Sequence, residues 1–253
     1  MTNSLDYDVQ ASGPSDNPAE PEETSASDSG GVGPLDSGMV QHFAQNDFEG
    51  GSVLFGQSRA IADYTVLRGF AEAFLRGDGG AAGTALFSAN ANDVITVDSP
   101  GLAGQNGTYR LTYFFDGSIS GDDTNTNADA TLSIASGREF AESTVTEIGN
   151  PFSETVNLDI PIVFGEAFQT SVALSGSVEA PQDFGGTNST TVDVLNSATL
   201  NSIVLLNGSG TPVNGTVSGN SGAGYNQFVV PEPSPVLLTI LGLAGFLARR
   251  RRA

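Results

Sequence analysis

The amino-acid sequence predicts an all-β protein, an antiparallel β-sandwich of jelly-roll type with a disordered acidic N-terminal tail and a short C-terminal transmembrane helix. Between about residues 48 and 228, short runs alternate apolar and polar residues. Gly, Asn, Asp and Pro separate these runs, at the spacing of about ten residues that is typical of sandwiches and barrels. The composition changes on both sides of this region, so we expect one β-domain with two terminal segments of a different kind.

The clearest strand is TVNLDIPIVF, in which every second residue from Val156 to Phe164 is apolar. This period of two predicts a strand with one buried and one solvated face. Pro161 has no N–H to donate to a neighbouring strand, so we expect this strand at the edge of a sheet or at a bulge.

Other segments follow the same alternation. In GTYRLTYFFDG, Tyr109, Leu111, Tyr113 and Phe115 fall on one face. The segments ADATLSIASG, DVITVDS and ATLNSIVLLNGSGTPV are further predicted strands with turn residues at their ends. DYTVLRGFAEAFLRG is also compatible with a helix, but we assign it as a strand because the rest of the domain is β.

Residues 1–47 are predicted to be a disordered tail. The stretch SGPSDNPAEPEETSASDSGGVGP is rich in Pro, Ser, Gly and Glu and contains no basic residue. Such a composition buries too little apolar surface to offset the entropy lost on folding.

The charge balance excludes one large class of partners. The formal net charge is −20, there is no lysine, and only five arginines precede the last five residues of the chain. A surface this acidic repels phosphate backbones, so we expect no binding to nucleic acid. Cysteine is absent as well, which excludes disulfides, thiolate metal sites and cysteine nucleophiles.

The C-terminal segment, residues 229–253, has a different character. Thirteen uncharged residues, 236–248, precede Arg249, Arg250, Arg251 and Arg252. As a helix they would rise about 20 Å, short for a hydrocarbon core of about 30 Å, but arginines snorkel and bilayers thin. Because cationic flanks stay on the cytoplasmic side, the sequence predicts a membrane span with its C-terminus in the cytoplasm.

Pro231, Glu232 and Pro233 precede this span, and the order of motif, apolar span and arginine cluster resembles the PEP-CTERM sorting signal of Gram-negative bacteria. The resemblance implies that an exosortase-type membrane protease recognises the motif at 231–233 and cleaves near it. It also implies passage through the inner membrane, then release or attachment at the cell surface or in the extracellular matrix, in association with exopolysaccharide and biofilm. The rest of the chain resembles the bodies of such proteins only in its general sequence pattern, and no site residue is carried over from that resemblance.

Proteins with this signal normally also carry an N-terminal export signal. MTNSLDYDVQ has neither a basic start nor an apolar stretch. Either the true start codon lies upstream, which is the interpretation we favour, or an unusual export route operates.

One group of residues has the spacing of metal ligands. Asp123, Asn125, Asn127 and Asp129 alternate in SGDDTNTNAD, like the opening of a calcium-binding loop. Ala128 stands where an EF-hand requires glycine, and no closing glutamate follows. The alternative is a solvated hairpin loop between YFFDGSIS and ATLSIAS. Calcium is the only cofactor that the sequence suggests.

No catalytic constellation stands out. His42 is the only histidine, and it lies in the predicted tail, so a Ser-His-Asp triad would have to recruit it from there. A glycosidase needs two carboxylates across a cleft, and the spacing of the acidic residues selects no pair. The sequence favours a non-enzymatic surface or matrix protein. A carbohydrate-binding module and a glycan-active hydrolase remain the alternatives.

Overall fold

The computed structural model describes residues 35–36, 40–46, 52–77, 83–121, 127–180 and 186–230. Within these ranges the chain is all-β and antiparallel, as predicted, with no α-helix and a single 3₁₀ turn at Tyr225–Gln227. The described strands are β1 (Leu35–Asp36), β2 (Val40–Asn46), β3 (Ser52–Asp63), β4 (Val66–Gly77), β5 (Gly83–Asp98), β6 (Asn106–Gly121), β7 (Asn127–Ser136), β8 (Glu139–Val145), β9 (Pro151–Val163), β10 (Ala167–Ala180), β11 (Gly186–Asn207) and β12 (Thr216–Gly219).

The strands form two antiparallel sheets. The seven-stranded sheet has the order β1-β3-β4-β11-β6-β9, with β2 also paired to β3, and the five-stranded sheet has the order β12-β5-β10-β7-β8. From β4 to β11, consecutive strands alternate between the two sheets, except for the β7–β8 hairpin. This connectivity places strands that are distant in sequence next to each other, so both sheets depend on long-range pairing.

The period-two pattern places side chains as the sequence predicts. In β9, alternate residues from Val156 to Ile162 are buried, as is Phe164 in the turn that follows. Pro161 is exposed, and β9 is the last strand of its sheet. The prediction of an edge strand is therefore confirmed.

The core lies between the inner faces of the two sheets. The tyrosines and Phe115 of β6 are fully buried, as their phase in the sequence predicts. From the opposite sheet, Phe87 of β5 points its ring at Gly69 of β4, so closely that a Cβ on Gly69 would lie 1.9 Å from the Cε2 atom of Phe87. The two sheets thus pack face to face around one apolar layer.

The segment DYTVLRGFAEAFLRG contains β4, which confirms its assignment as a strand. Leu67, Ala71 and Ala73 point into the core, and Arg68 points to solvent. The strand pairs with β3 on one side and β11 on the other. The small side chains of the inward alanines allow the opposite sheet to pack closely against β4, although alanine also suits a helix.

Two predictions are wrong, one about the N-terminal segment and one about the loop after β6. Part of the segment 1–47 is not a disordered tail, because β1 and β2 lie within it and both pair with β3. The backbone of His42 belongs to this ladder, opposite Gly56. The physical reason is that the backbone of VQHFAQN pairs with β3 along its whole length, a long-range interaction that local composition does not reveal. The other residues of the predicted tail lie outside the described ranges.

The loop between YFFDGSIS and ATLSIAS is not a hairpin. Those segments form β6 and β7, which belong to different sheets, so the connection crosses from one sheet to the other. Local sequence cannot distinguish a hairpin from a crossover, because both need polar turn residues.

The predicted membrane span at 236–248 lies outside the described residues. Among the residues that the structure does describe, no helix has the length and apolar character needed to cross a bilayer.

Candidate functional site: the C-terminal stem

The predicted sorting residues follow directly on the last described residue, Val230. Pro231, Glu232 and Pro233, like Arg249, Arg250, Arg251 and Arg252, lie outside the described ranges. The structure does describe the segment that leads to them, residues 211–230, which we call the C-terminal stem. Its attachment to the body is the part of this region for which the structure gives contacts.

The stem starts with a turn at the end of β11. The backbone N–H of Asn207 donates to the carbonyl of Thr211 over 2.9 Å, and the side-chain oxygen of Asn207 accepts from the N–H of Ser209 and of Thr211. The N–H of Val213 then donates to the carbonyl of Leu205 over 2.9 Å. Next, β12 pairs with the end of β5 and becomes the edge of the five-stranded sheet. The stem thus passes from one sheet to the other.

The end of the stem returns to the seven-stranded sheet. The pairing of β4 with β11 stops at Thr199, so the last part of β11 lacks that neighbour. The stem fills this place: the N–H of Ile203 donates to the carbonyl of Phe228 over 2.8 Å, and the N–H of Val230 donates to the carbonyl of Ile203 over 2.9 Å. Buried backbone groups need hydrogen-bond partners. The stem supplies these partners to Ile203 of β11, and the same bonds hold the stem in place.

Asp93 is the main side chain that holds the stem. It lies on β5 with its side chain facing the core, and it is only 2% exposed. Its Oδ1 atom accepts from the N–H of Val94 over 2.7 Å and of Ser221 over 2.9 Å. Its Oδ2 atom accepts from the hydroxyls of Ser221 and Tyr225. A buried carboxylate is tolerated only when its lone pairs are satisfied, and the stem supplies three of these four donors.

Tyr225 inserts into the core from the 3₁₀ turn and is fully buried. Its ring meets that of Tyr64 edge to face, with the centroids 5.2 Å apart. Burial raises the pKa of Tyr225 well above its ordinary value, and the nearby Tyr64 and the hydrogen bond to Asp93 raise it further. Tyr225 therefore keeps its proton and serves as a donor to Asp93.

Gly219 allows this approach. A Cβ atom at that position would lie 2.3 Å from the Oδ2 atom of Asp93 and 2.4 Å from the Cε2 atom of Tyr225. Any larger residue at 219 would push the carboxylate and the ring apart.

Further contacts fasten the rest of the stem. The side-chain oxygen of Asn226 accepts from the N–H of Val217 over 2.8 Å, which ties the 3₁₀ turn to β12. Phe228 and Val229 are half-buried and pack against the core, whereas Val230 is 46% exposed. Within the described stem, Val230 is therefore more exposed than the two residues before it.

Other tyrosines form a buried layer next to this site. The hydroxyl of Tyr64 donates to the hydroxyl oxygen of Thr170, and the hydroxyl of Tyr113 donates to the carbonyl of Tyr64. The hydroxyl of Tyr109 is buried without a hydrogen-bond partner in the described part of the chain. Burial raises the pKa of all three tyrosines, so the layer around Asp93 is uncharged.

The residues with calcium-ligand spacing are only partly described, because Asp123 and Asn125 lie outside the described ranges. Asn127 and Asp129 belong to β7 rather than to a loop. The side-chain N–H of Asn127 donates to the Oε2 atom of Glu179 over 3.1 Å, and Asp129 accepts from the hydroxyl of Ser177. Over the ranges that the structure covers, no three His, Cys, Asp or Glu residues are grouped to hold a metal ion.

A cleft of about 480 Å³ lies beside β12, lined by Asp98, Ser99, Pro100, Asn214, Gly215 and Thr216. Among these lining residues, Asp98 has the one carboxylate. Acid and base catalysis of glycoside hydrolysis requires two. The geometry of this cleft gives no support to hydrolysis.

Sequence reasoning missed Asp93 and Tyr225, although a signal was available for the first. In DVITVDS, Asp93 has the same phase as Ile95 and Val97, which places it on the buried face. An aspartate on a buried face requires donors from elsewhere in the fold. The identity of those donors depends on the return of the stem to β5, which no local pattern indicates.

Comparison of the chain with protein-family models and with curated proteins gives no match in either case.

Proposed function

We propose that this is an exported surface or extracellular-matrix protein without enzymatic activity, sorted and cleaved by an exosortase-type membrane protease that reads Pro231, Glu232 and Pro233. Residues 236–248 would span the inner membrane, and the arginines at 249–252 would remain in the cytoplasm until cleavage. One observation carries this proposal: the motif begins directly after Val230, where the stem is hydrogen-bonded to β11.

The spacing between the body and the predicted span supports this function. Only residues 231–235 separate Val230 from the apolar run. Five extended residues reach about 17 Å. A body attached in this way would lie close to the membrane surface with the motif in the gap, which is where a membrane protease works. Three prolines in the gap favour an extended chain that such a protease can grip.

For the finer architecture, we propose a jelly-roll sandwich. The support is the order of eight strands, β4-β11-β6-β9 in one sheet and β5-β10-β7-β8 in the other. Two four-stranded sheets joined by repeated crossovers are the arrangement that gives two Greek keys. Jelly rolls occur in capsid and lectin domains, so this fold suits a structural or a binding role and decides neither.

Mass spectrometry of the mature C-terminus, on protein from the native host, tests the sorting function. We expect the extracellular protein to end near residue 233 and to lack residues 249–252. Extracellular protein that retains all four arginines would overturn the proposal. The membrane fraction of the same culture serves as the control, because it should contain the uncleaved precursor.

A second candidate function is carbohydrate binding on the outer face of the five-stranded sheet. Many outward side chains of its central strands are uncharged hydroxyl or amide groups, the kind that hydrogen-bond to sugar hydroxyls, although aliphatic and acidic side chains such as Val94 and Asp129 lie among them. The hydroxyl and amide side chains include Ser88, Asn90, Asn92, Thr131, Ser133, Ser171, Ser175 and Ser177. An association with exopolysaccharide would be consistent with either candidate.

A glycan array distinguishes the two candidates. Saturable binding to one polysaccharide, lost when Asn90 and Ser133 are both changed to alanine, would favour a binding module. The matched control is Thr112→Ala with Asn157→Ala, a hydrogen-bonded pair on the outer face of the other sheet. Absence of saturable binding would leave the structural role as the function.

A further inference from the structure

We infer that Asp93 and Tyr225 form a clasp that keeps the C-terminal stem folded against the body, so that a processing protease has no access to residues 220–230 while the clasp is closed. The effect on processing rests on the proposed sorting function. The clasp itself is a property of the fold and is tested separately.

The contacts of the clasp are concentrated in a few residues. Asp93 receives three of its four hydrogen bonds from the stem, two from Ser221 and one from Tyr225. Beyond these bonds, the stem from residue 216 onwards is held mainly by four paired positions of β12, by the bond from the N–H of Asn220 to the carbonyl of Val94, and by the backbone bonds of Ile203. A strand of four residues has little stability of its own. Loss of the carboxylate should therefore loosen the stem more than the rest of the body.

Release of the stem would lengthen the chain between the body and the predicted membrane span. With the clasp closed, residues 231–235 alone connect the body to the predicted span, a reach of about 17 Å. If the stem were released from residue 220 onwards, sixteen residues would connect them, with a maximum reach of about 55 Å. The clasp thus determines both the distance of the body from the membrane and the length of chain that a protease can grip.

Two variants affect different numbers of the three bonds that Ser221 and Tyr225 donate to Asp93. Asp93→Asn keeps the size of the side chain but turns an amide N–H₂ towards hydroxyl donors, which opposes two of the bonds. Tyr225→Phe keeps the ring packed against Tyr64 and removes one bond only. Asp98→Asn is the matched control, because Asp98 lies on the same strand, its side chain is exposed, and it is not one of the clasp residues.

Chymotrypsin digestion of the full-length protein in detergent measures the opening of the stem. Cleavage after Tyr225 and after Phe228 requires the stem to leave the body, because Tyr225 is fully buried. Loss of hydrogen bonds to a charged group should accelerate cleavage after Phe228 about tenfold in Asp93→Asn and less in Tyr225→Phe. Asp98→Asn should match the wild type.

The digestion also separates local from global opening. Fragments cut after Tyr109 and Tyr113 report on the core strand β6. Equal acceleration at β6 and at the stem in both variants would mean general unfolding and would overturn the clasp, as would wild-type rates at the stem. If Asp93→Asn fails to fold, Tyr225→Phe decides the outcome in the same way.

The mature C-terminus in the native host then tests the effect on processing. In the wild type we expect a single end at or after Pro231, and in Asp93→Asn additional ends within residues 220–230. A single unchanged end, in a variant whose stem opens to chymotrypsin, would overturn the effect on processing. Retention of residues 249–252 in the wild type would instead contradict the sorting function and leave the digestion result standing.

Discussion

The ring of Phe87 occupies the space above Gly69, so that the absence of a side chain on β4 makes room for the largest inward side chain of β5. The two residues belong to opposite sheets, and a Cβ at Gly69 would lie less than 2.5 Å from three atoms of the ring. Gly176 on β10 gives similar room on the other side, since a Cβ there would lie 2.5 Å from the Cε1 atom of Phe87. This contact fixes the distance between the sheets in the middle of the core.

Gly69→Ala should therefore destabilise the protein by about 1–3 kcal/mol, because the added methyl group forces the ring of Phe87 out of a well-packed core. Urea unfolding followed by circular dichroism measures this loss. The matched control is Gly224→Ala, since a Cβ at Gly224 would meet only ordinary contacts at 3.6 Å and beyond. If Phe87→Leu restores part of the stability of Gly69→Ala, the double-mutant cycle assigns the clash to this pair.

The four buried tyrosines should make the fold sensitive to alkali. Tyr64, Tyr109, Tyr113 and Tyr225 all have a pKa raised above the ordinary value of 10.0, chiefly by burial. Their contribution to stability is complete below that value, and it is lost as the pH rises above it, because the unfolded chain then releases protons that the folded chain retains.

We therefore expect the free energy of unfolding to fall steeply above about pH 10, by up to about 1.4 kcal/mol per pH unit for each buried tyrosine. Absorbance of tyrosinate at 295 nm and circular dichroism should change together. Titration of all tyrosines near pH 10, with the β-signal unchanged, would contradict the buried layer.

Replacing Arg249, Arg250, Arg251 and Arg252 with glutamate should abolish sorting, because it reverses the charge signal that keeps the C-terminus in the cytoplasm. Surface labelling and cell fractionation in the native host measure the outcome. Replacement with four lysines is the control, since it keeps the positive charge. Normal processing of the glutamate variant would show that the cluster is dispensable.

Glu232→Ala should block cleavage while membrane insertion continues, if the protease reads the motif. The variant should accumulate in the membrane fraction with residues 249–252 intact, as detected by mass spectrometry. Glu166→Ala removes an exposed glutamate from a turn of the body and is the control for the change in charge. A mature C-terminus identical to that of the wild type would exclude Glu232 from recognition.

For calcium, we expect equal shifts of the melting temperature in calcium chloride and in sodium chloride of the same ionic strength. A chain of charge −20 gains stability from any screening, and Asn127 and Asp129 already bond to β10. A larger shift in calcium, saturable and lost in Asp123→Ala with Asp129→Ala, would assign the site. Glu139→Ala with Glu147→Ala is the control, because it removes the same charge elsewhere.

Local periodicity was enough to predict most strands and the direction of their side chains. The phase of Tyr109 to Phe115 and of Val156 to Ile162 agrees with burial, because side chains of a strand alternate between faces whatever the neighbour is. Pro161 even indicated the sheet edge, since a missing N–H excludes a central position. The order of the Pro-Glu-Pro motif, the apolar run and the arginine cluster also indicated the sorting signal, which stays a prediction from sequence.

The amino-acid sequence by itself determined that this chain forms strands, which face of each is buried, and where an acidic chain carries its basic cluster. The tertiary structure alone decided the sheet order, the crossover after β6, and the pairing of β1 and β2 with β3. It also decided that Asp93 would be satisfied by Ser221 and Tyr225, more than 120 residues away. The physical reason is that alternation is a local property of the backbone, whereas the partner of a strand edge or a buried carboxylate depends on long-range packing.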